Sequence, residues 1–175
     1  MSDYGRQTGP AQVEFTRIFD AAPARVWEFL VDGEKRKLWF CGGSTDDHAG
    51  GEIVFEFDHR RLSDRDPPEK YASEEIATHR GRIIEYCPPH RLVFTWFEAE
   101  GEGESTVDIT LRETDGGKTE LHLVHTGLAG RDMLVGVLAG WHGHFDLLCE
   151  VVNGPRKSDF WARDGQLEKE YAARV

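Results

Sequence analysis

No stretch of this 175-residue chain stays apolar for long: the longest nearly unbroken run, Met133 to Trp141, is far too short to cross a bilayer as a helix. Basic residues are scarce as well. The 21 lysines and arginines stand against 32 acidic side chains, and a formal charge of −11 argues against nucleic acid or an anionic membrane as partner. Cysteine is nearly absent. Cys41, Cys87 and Cys149 are odd in number, far apart and outside any CxxC spacing, which fits reduced thiols used for packing rather than nucleophiles or a disulfide framework. The opening MSDYGRQTGPAQ has neither a basic start nor an apolar stretch, so no signal peptide is expected and the expected location is cytoplasmic. Catalytic signatures are missing too: nothing matches G-x-S-x-G, a phosphate loop or a dinucleotide fingerprint, and GEGE is acidic where a phosphate needs the reverse. Glycine is plentiful, at 19 residues, but falls at turns without a fixed period.

What is there reads as one domain, since the length suits a single filled core. Val13 to Asp20 alternates apolar and polar residues, as a strand does. Pro23 then stands in the first turn of a helical pattern carrying Val26, Trp27, Leu30 and Val31, and a second short helix, or a turn of one, is expected over Glu34 to Phe40. Five alternating segments follow: Glu52 to Phe57, Thr78 to Tyr86, Arg91 to Phe97, Ser105 to Arg112 and Thr119 to Thr126. Links such as CPPH, EAEGEGE and TDGGK are turn-like and make an antiparallel meander. The connector Asp58 to Ala77 is long and charged, and reads either as an excursion over a cavity mouth or as a mobile surface loop. From Arg131 the period turns helical and holds to about Val152, where Gly154-Pro155 stops it. The expected layout is a flexible N-terminus over 1–12, a domain over 13–154, and a tail over 155–175 with a short helix. Phe160 and Trp161 in that tail suit docking on the body or on a second subunit, so monomer and homodimer both stay open. Strand, two short helices, meander and long last helix is the order of an α+β helix-grip fold, a curved antiparallel sheet wrapped around the C-terminal helix.

The segments FDAAPARVWEFLVD, KLWF, GRIIEYCPPHRLVFTWFE, TELHLVHTGL and GWHGHFDLL, in that order, resemble the family named for the C-terminal domain of the activator of the ninety-kilodalton heat-shock protein ATPase. That family lies within the START-like, or SRPBCC, superfamily. The resemblance spans about Val13 to Gly154 and implies a sheet and helix enclosing a cavity for small apolar or amphipathic molecules. It does not fix an activity, because relatives include carriers, sensors, cyclases and co-chaperones.

Strand alternation sets an inward face. Ile53, Phe55 and Phe57 share one side, as do Leu92, Phe94 and Trp96, then Val107, Ile109 and Leu111, then Leu121, Leu123 and His125. His125 is the one ionisable residue in these sets. It reads either as a strand-end histidine bonded to a backbone carbonyl or as a polar contact at the end of an apolar pocket. On the last helix, Leu134, Leu138, Trp141, Phe145, Leu148 and Val152 form the stripe that grips the sheet. His142 and His144 diverge from it in opposite directions, so HGH is a poor metal motif and no metal or cofactor is assigned. His142 and Asp146, four apart, are expected as a surface pair, while His144 borders the pocket and could meet His125 there.

The candidate ligand-binding residues are therefore Trp27, Trp39, Phe55, Trp96, His125, Trp141, His144 and Phe145, with no catalytic residue assigned. Three functions fit. The first is a binding module for a small hydrophobic or amphipathic molecule. The second is a domain for a chaperone or other protein, met through the acidic EAEGEGE loop and the long connector. The third is a cyclase- or hydrolase-like enzyme using His125 and His144.

Overall fold

Period-two alternation along the chain produces a seven-stranded antiparallel sheet in the computed structural model, which describes residues 4–58, 60–71, 76–97 and 104–175. The strands are β1 (Arg6–Gly9), β2 (Gln12–Phe19), β3 (Glu52–Phe57), β4 (Ala77–Cys87), β5 (Arg91–Phe97), β6 (Glu104–Thr114) and β7 (Lys118–Thr126). Their order is β1-β2-β7-β6-β5-β4-β3, so β3 to β7 form the meander and β2 closes against β7. β1 arises within the segment expected to be flexible. Gln7 pairs with Val13 there, because the short Gly9 to Gln12 link lets the chain fold straight back on β2. The β6–β7 link turns on Gly116 and Gly117, with φ of 78° and 72°, the doubly left-handed turn that suits a tight hairpin.

Helix α1 (Pro23–Val31) begins on its proline and buries Val26, Trp27, Phe29 and Leu30. The second helix, α2 (Gly33–Arg36), is a single turn. Asp32 caps it by accepting from the amides of Glu34 and Lys35, and the chain then drops into a loop organised by Arg36. The buried guanidinium of Arg36 donates to the carbonyls of Cys41, Gly42 and Val54 and to the Thr45 hydroxyl, at 2.6 to 3.3 Å. The loop also pairs with β3 through its backbone, Gly42 with Glu56 and the Val54 amide with the Ser44 carbonyl, and the buried cation ties the two together. The close path also explains Gly33, where a Cβ would lie 1.8 Å from the Gly43 carbonyl oxygen.

The long helix α3 (Arg131–Val151) lays Leu134, Leu138, Trp141, Phe145 and Leu148 against the sheet, every one buried. Its opposite side is covered by α4 (Phe160–Ala172), which buries Phe160, Leu167 and Tyr171. Gly143 makes this possible, since a Cβ there would meet the Phe160 ring at 3.0 Å. The aromatic tail docks on the body of its own chain. The same contact corrects the expectation for His142 and Asp146: His142 is 3% exposed, not at the surface. α4 and the N-terminal segment roof it over, with Tyr171 Oη 2.8 Å from His142 Nδ1 and Tyr4 edge-on at 4.8 Å. Asp146 still lies 3.6 Å from His142 Nε2, and the buried Arg17 of β2 stands 3.9 Å from its other oxygen.

The four inward strand sets are buried, apart from the half-buried ends Phe57 and Trp96. No helix among the described residues is long and apolar enough to cross a membrane.

Candidate functional site

At the end of the sheet where Phe57 and Trp96 stay half-buried, α3 stands off and leaves a cleft of about 450 Å³. Its sheet wall is Phe57, His79, Trp96 and His125; its helix wall is Met133, Gly136, Val137, Gly140, Trp141 and His144. Phe40, just after α2, forms the floor. Its ring stacks near parallel to Trp96 at 5.7 Å and lies 5.2 Å from Trp141, the offset arrangement that aromatic rings favour. A smaller chamber of about 100 Å³ adjoins it, sharing Phe40, Phe57, Tyr71, Gly136, Gly140 and His144, and runs on to Phe160, Trp161 and Asp164 of α4.

Of the connector after β3, Tyr71 lines the cleft and Asp58 and Leu62 line the adjoining chamber, while residues 59 and 72–75 lie outside the described residues. Asp159 anchors the connector: besides capping α4 through the Ala162 amide, it accepts from the Ser63 hydroxyl at 2.7 Å and the Asp64 amide at 3.0 Å. Tyr71, in a short 3-10 turn over Glu69–Tyr71, stacks on Trp161 at 5.2 Å.

His125 sits deep in the cleft at 1% exposure. Its partners are side chains rather than the single backbone carbonyl that the simpler sequence reading gave it. The Trp141 indole N–H donates to Nδ1 at 3.2 Å, so Nε2 carries the proton and donates to Ser105 Oγ at 2.8 Å. The Ser105 hydroxyl in turn donates to the Trp96 carbonyl at 3.0 Å. Burial pushes the imidazole down to about 4, keeping it neutral and in one tautomer at physiological pH. The Nδ1 lone pair of His125 is thus engaged by the indole N–H and its Nε2 proton by Ser105. His144 anchors to the Trp39 carbonyl through Nδ1–H at 2.8 Å and lies flat on Phe160, with ring centroids 4.4 Å apart. The two histidines line the same cleft from the sheet and helix sides.

Of the eight residues expected from the sequence, Trp96, His125, Trp141 and His144 line the cleft. Trp39, Phe55 and Phe145 lie behind it, with Trp39 and Phe145 stacked at 6.2 Å as packing. Trp27 is elsewhere, edge-on to Tyr86 at 5.3 Å. Its place one helical turn from Pro23 puts it over the far end of the sheet, which a pattern of apolar positions does not register. Sequence reasoning missed Tyr71, His79, Gly136 and Gly140. The glycines were legible in principle, since two glycines four apart inside a helix are unfavourable and ask for a reason. Cys41 packs in the core, where burial pushes its thiol up to about 12; Cys87 and Cys149 are exposed rather than packing residues. Among the described residues no three His, Cys, Asp or Glu side chains are placed to share a metal ion.

The family model described as Activator of Hsp90 ATPase homolog 1-like protein matches residues 20–153, from the turn before α1 to the end of α3. The chain belongs to this family. Among solved structures, this AHSA1-like chain is similar to the protein encoded by gene BPP1335 of Bordetella parapertussis, at 30% identity and a TM-score of 0.83, covering 99% of this chain and 91% of that one. CalU16 from Micromonospora echinospora is 25% identical, with a TM-score of 0.66 and coverage of 97% and 93%. A protein of Rhodobacter sphaeroides at 23% identity and a TM-score of 0.64, covering 85% and 94%, shares the fold. No curated protein matches the chain. The helix-grip architecture of this AHSA1-like domain is that of these relatives, with α4 packed across the outer side of α3.

Proposed function

We propose that this AHSA1-like domain binds a small, largely apolar molecule in the cleft between α3 and the sheet. One observation carries the reading. Gly136 and Gly140 sit in the interior of α3 on the cleft wall, and a Cβ at either would meet nothing within 4 Å. Glycine inside a helix costs about 1 kcal/mol against alanine, and here no close neighbour requires it. The cost is intelligible if the space itself is used. A volume of about 450 Å³ lies within the range of small-molecule sites, and the ring-rich wall with few polar groups has their usual composition. His125, neutral and locked, gives that wall shape without charge.

The test fills the space. Wild-type protein should raise the fluorescence of the neutral dye N-phenyl-1-naphthylamine with one-to-one saturation. Gly140→Leu should abolish that response while its thermal midpoint is equal or higher. Saturable dye binding that Gly140→Leu leaves untouched places the site elsewhere and overturns the proposal.

A further inference from the structure

The polar groups of the cleft divide into those already bonded inside the protein and those that are not. The Trp141 indole, both nitrogens of His125 and the Nδ1–H of His144 have protein partners. Trp96 and His79 differ. Among the described residues the Trp96 indole N–H donates to nothing and neither ring nitrogen of His79 has a polar partner, although both side chains line the cleft. Trp96 is half-buried, and its indole nitrogen keeps contact with solvent. The two share a corner: the Phe57 ring meets each of them edge-on, His79 at 5.8 Å and Trp96 at 5.9 Å. β4 and β5, which carry them, are neighbours in the sheet.

Filling the cleft changes what the Trp96 N–H faces. An indole nitrogen donates and does not accept. Water serves as its acceptor while the cleft is open to solvent, but an apolar molecule seated there expels that water, and a donor left without a partner costs affinity. A ligand with an oxygen at this corner restores the bond. Because the donor is uncharged, a neutral oxygen pairs with it without taking a charge out of water. We infer that the cleft takes an apolar body bearing a carbonyl or similar neutral oxygen acceptor, held by the Trp96 indole N–H with His79 as a second polar contact. This rests on the binding reading above, adds the chemical class of its ligand, and makes Trp96 the residue that sets specificity.

Two probes that differ in one group decide it: 2-acetylnaphthalene, and 2-ethylnaphthalene, in which a methylene replaces the carbonyl. Each competes with N-phenyl-1-naphthylamine on wild-type protein and on Trp96→Phe, which keeps a ring and loses the donor, after the dye affinity of each protein has been measured. The substitution should weaken the ketone by about three- to tenfold and the hydrocarbon by less than about twofold. His79→Leu should act in the same direction with a smaller effect. A second reading needs no variant: in wild-type protein the Trp96 indole proton, assigned by nuclear magnetic resonance, should move downfield with the ketone and not with the hydrocarbon. Equal weakening of the two probes, or an indole proton that answers both alike, leaves the binding reading standing and overturns the acceptor inference. Wild-type protein that takes up neither the dye nor either probe overturns both.

Discussion

Lowering the pH from 7.5 to 5 should cost this protein about 2 kcal/mol of stability through His125 alone. The native ring protonates only near about 4, whereas an unfolded histidine does so near 6.5. Below 6.5 the unfolded chain therefore binds a proton that the native state refuses. Stability from this residue is fully present above 6.5, falls by roughly 1.4 kcal/mol per pH unit through the window, and levels off below the native value. The physical source is the network itself. A proton on Nδ1 would face the Trp141 indole N–H at 3.2 Å, donor against donor, in a site 1% exposed. Urea unfolding followed by tryptophan fluorescence at pH 7.5, 6.5, 5.8 and 5.0 reads the effect. His125→Gln keeps an acceptor for the indole and a donor for Ser105 but cannot titrate. Its stability should be lower at neutral pH and should fall less steeply on acidification, and the contribution of the other histidines cancels in the difference. Equal slopes for the two proteins, or a native His125 resonance titrating near 6.5, would refute the network as described.

Other consequences can be checked by stability and proteolysis. Arg36→Met leaves the carbonyls of Cys41 and Val54 short of a donor in the interior, and that of Gly42 with the Glu56 amide alone, and should lower unfolding stability by on the order of 3 kcal/mol, seen as a lower urea midpoint. Asp159→Ala removes the α4 cap and both anchors of the connector; a loss of about 1 to 2 kcal/mol and faster tryptic cutting at Arg60, Arg61 and Arg65 are expected. Gly136→Ala should do the reverse and raise stability by about 1 kcal/mol, because its Cβ enters open space; a destabilised Gly136→Ala would show that the helix needs glycine for its own geometry.

Periodic patterns carried most of this fold in the sequence. β3 and β5 begin and end where alternation does, and α3 stops one residue before the expected Val152. Patterns failed where a single polar side chain does the organising. Arg36 reads as a surface charge on a short helix, and only the path of the loop after it turns the guanidinium inward. Arg17 is similar: it stands at an inward position of β2 between Phe15 and Phe19, in register but of the wrong chemistry, because Asp146 of α3 comes to meet it. His142 was misplaced for a third reason. A helix wheel sees one partner surface, and α3 has two. A third of the cleft's lining was legible as ligand contacts, namely Trp96 on β5, His125 on β7, and Trp141 and His144 on α3, whose faces periodicity fixes. Tyr71 and His79 were not, since a residue of the long connector and an outlying strand position reach the cleft only through tertiary folding. The acidic segment 98–103 lies outside the described residues.

The roof over His142 has a topological consequence. It is made from both ends of the chain: the Gly5 amide donates to Tyr171 Oη at 2.8 Å, and the Arg174 guanidinium lies 3.7 Å over the Tyr4 ring. The segment at Tyr4–Gly5 and the end of α4 thus meet, so a linker between residues 4 and 174 could join them in a variant opened at Gly116–Gly117, where neither glycine has a neighbour within 4 Å of a would-be side chain. Such a circular permutant should reach the same native arrangement by another route. The β6–β7 pair, a local hairpin in the natural order, would become the contact most distant in sequence.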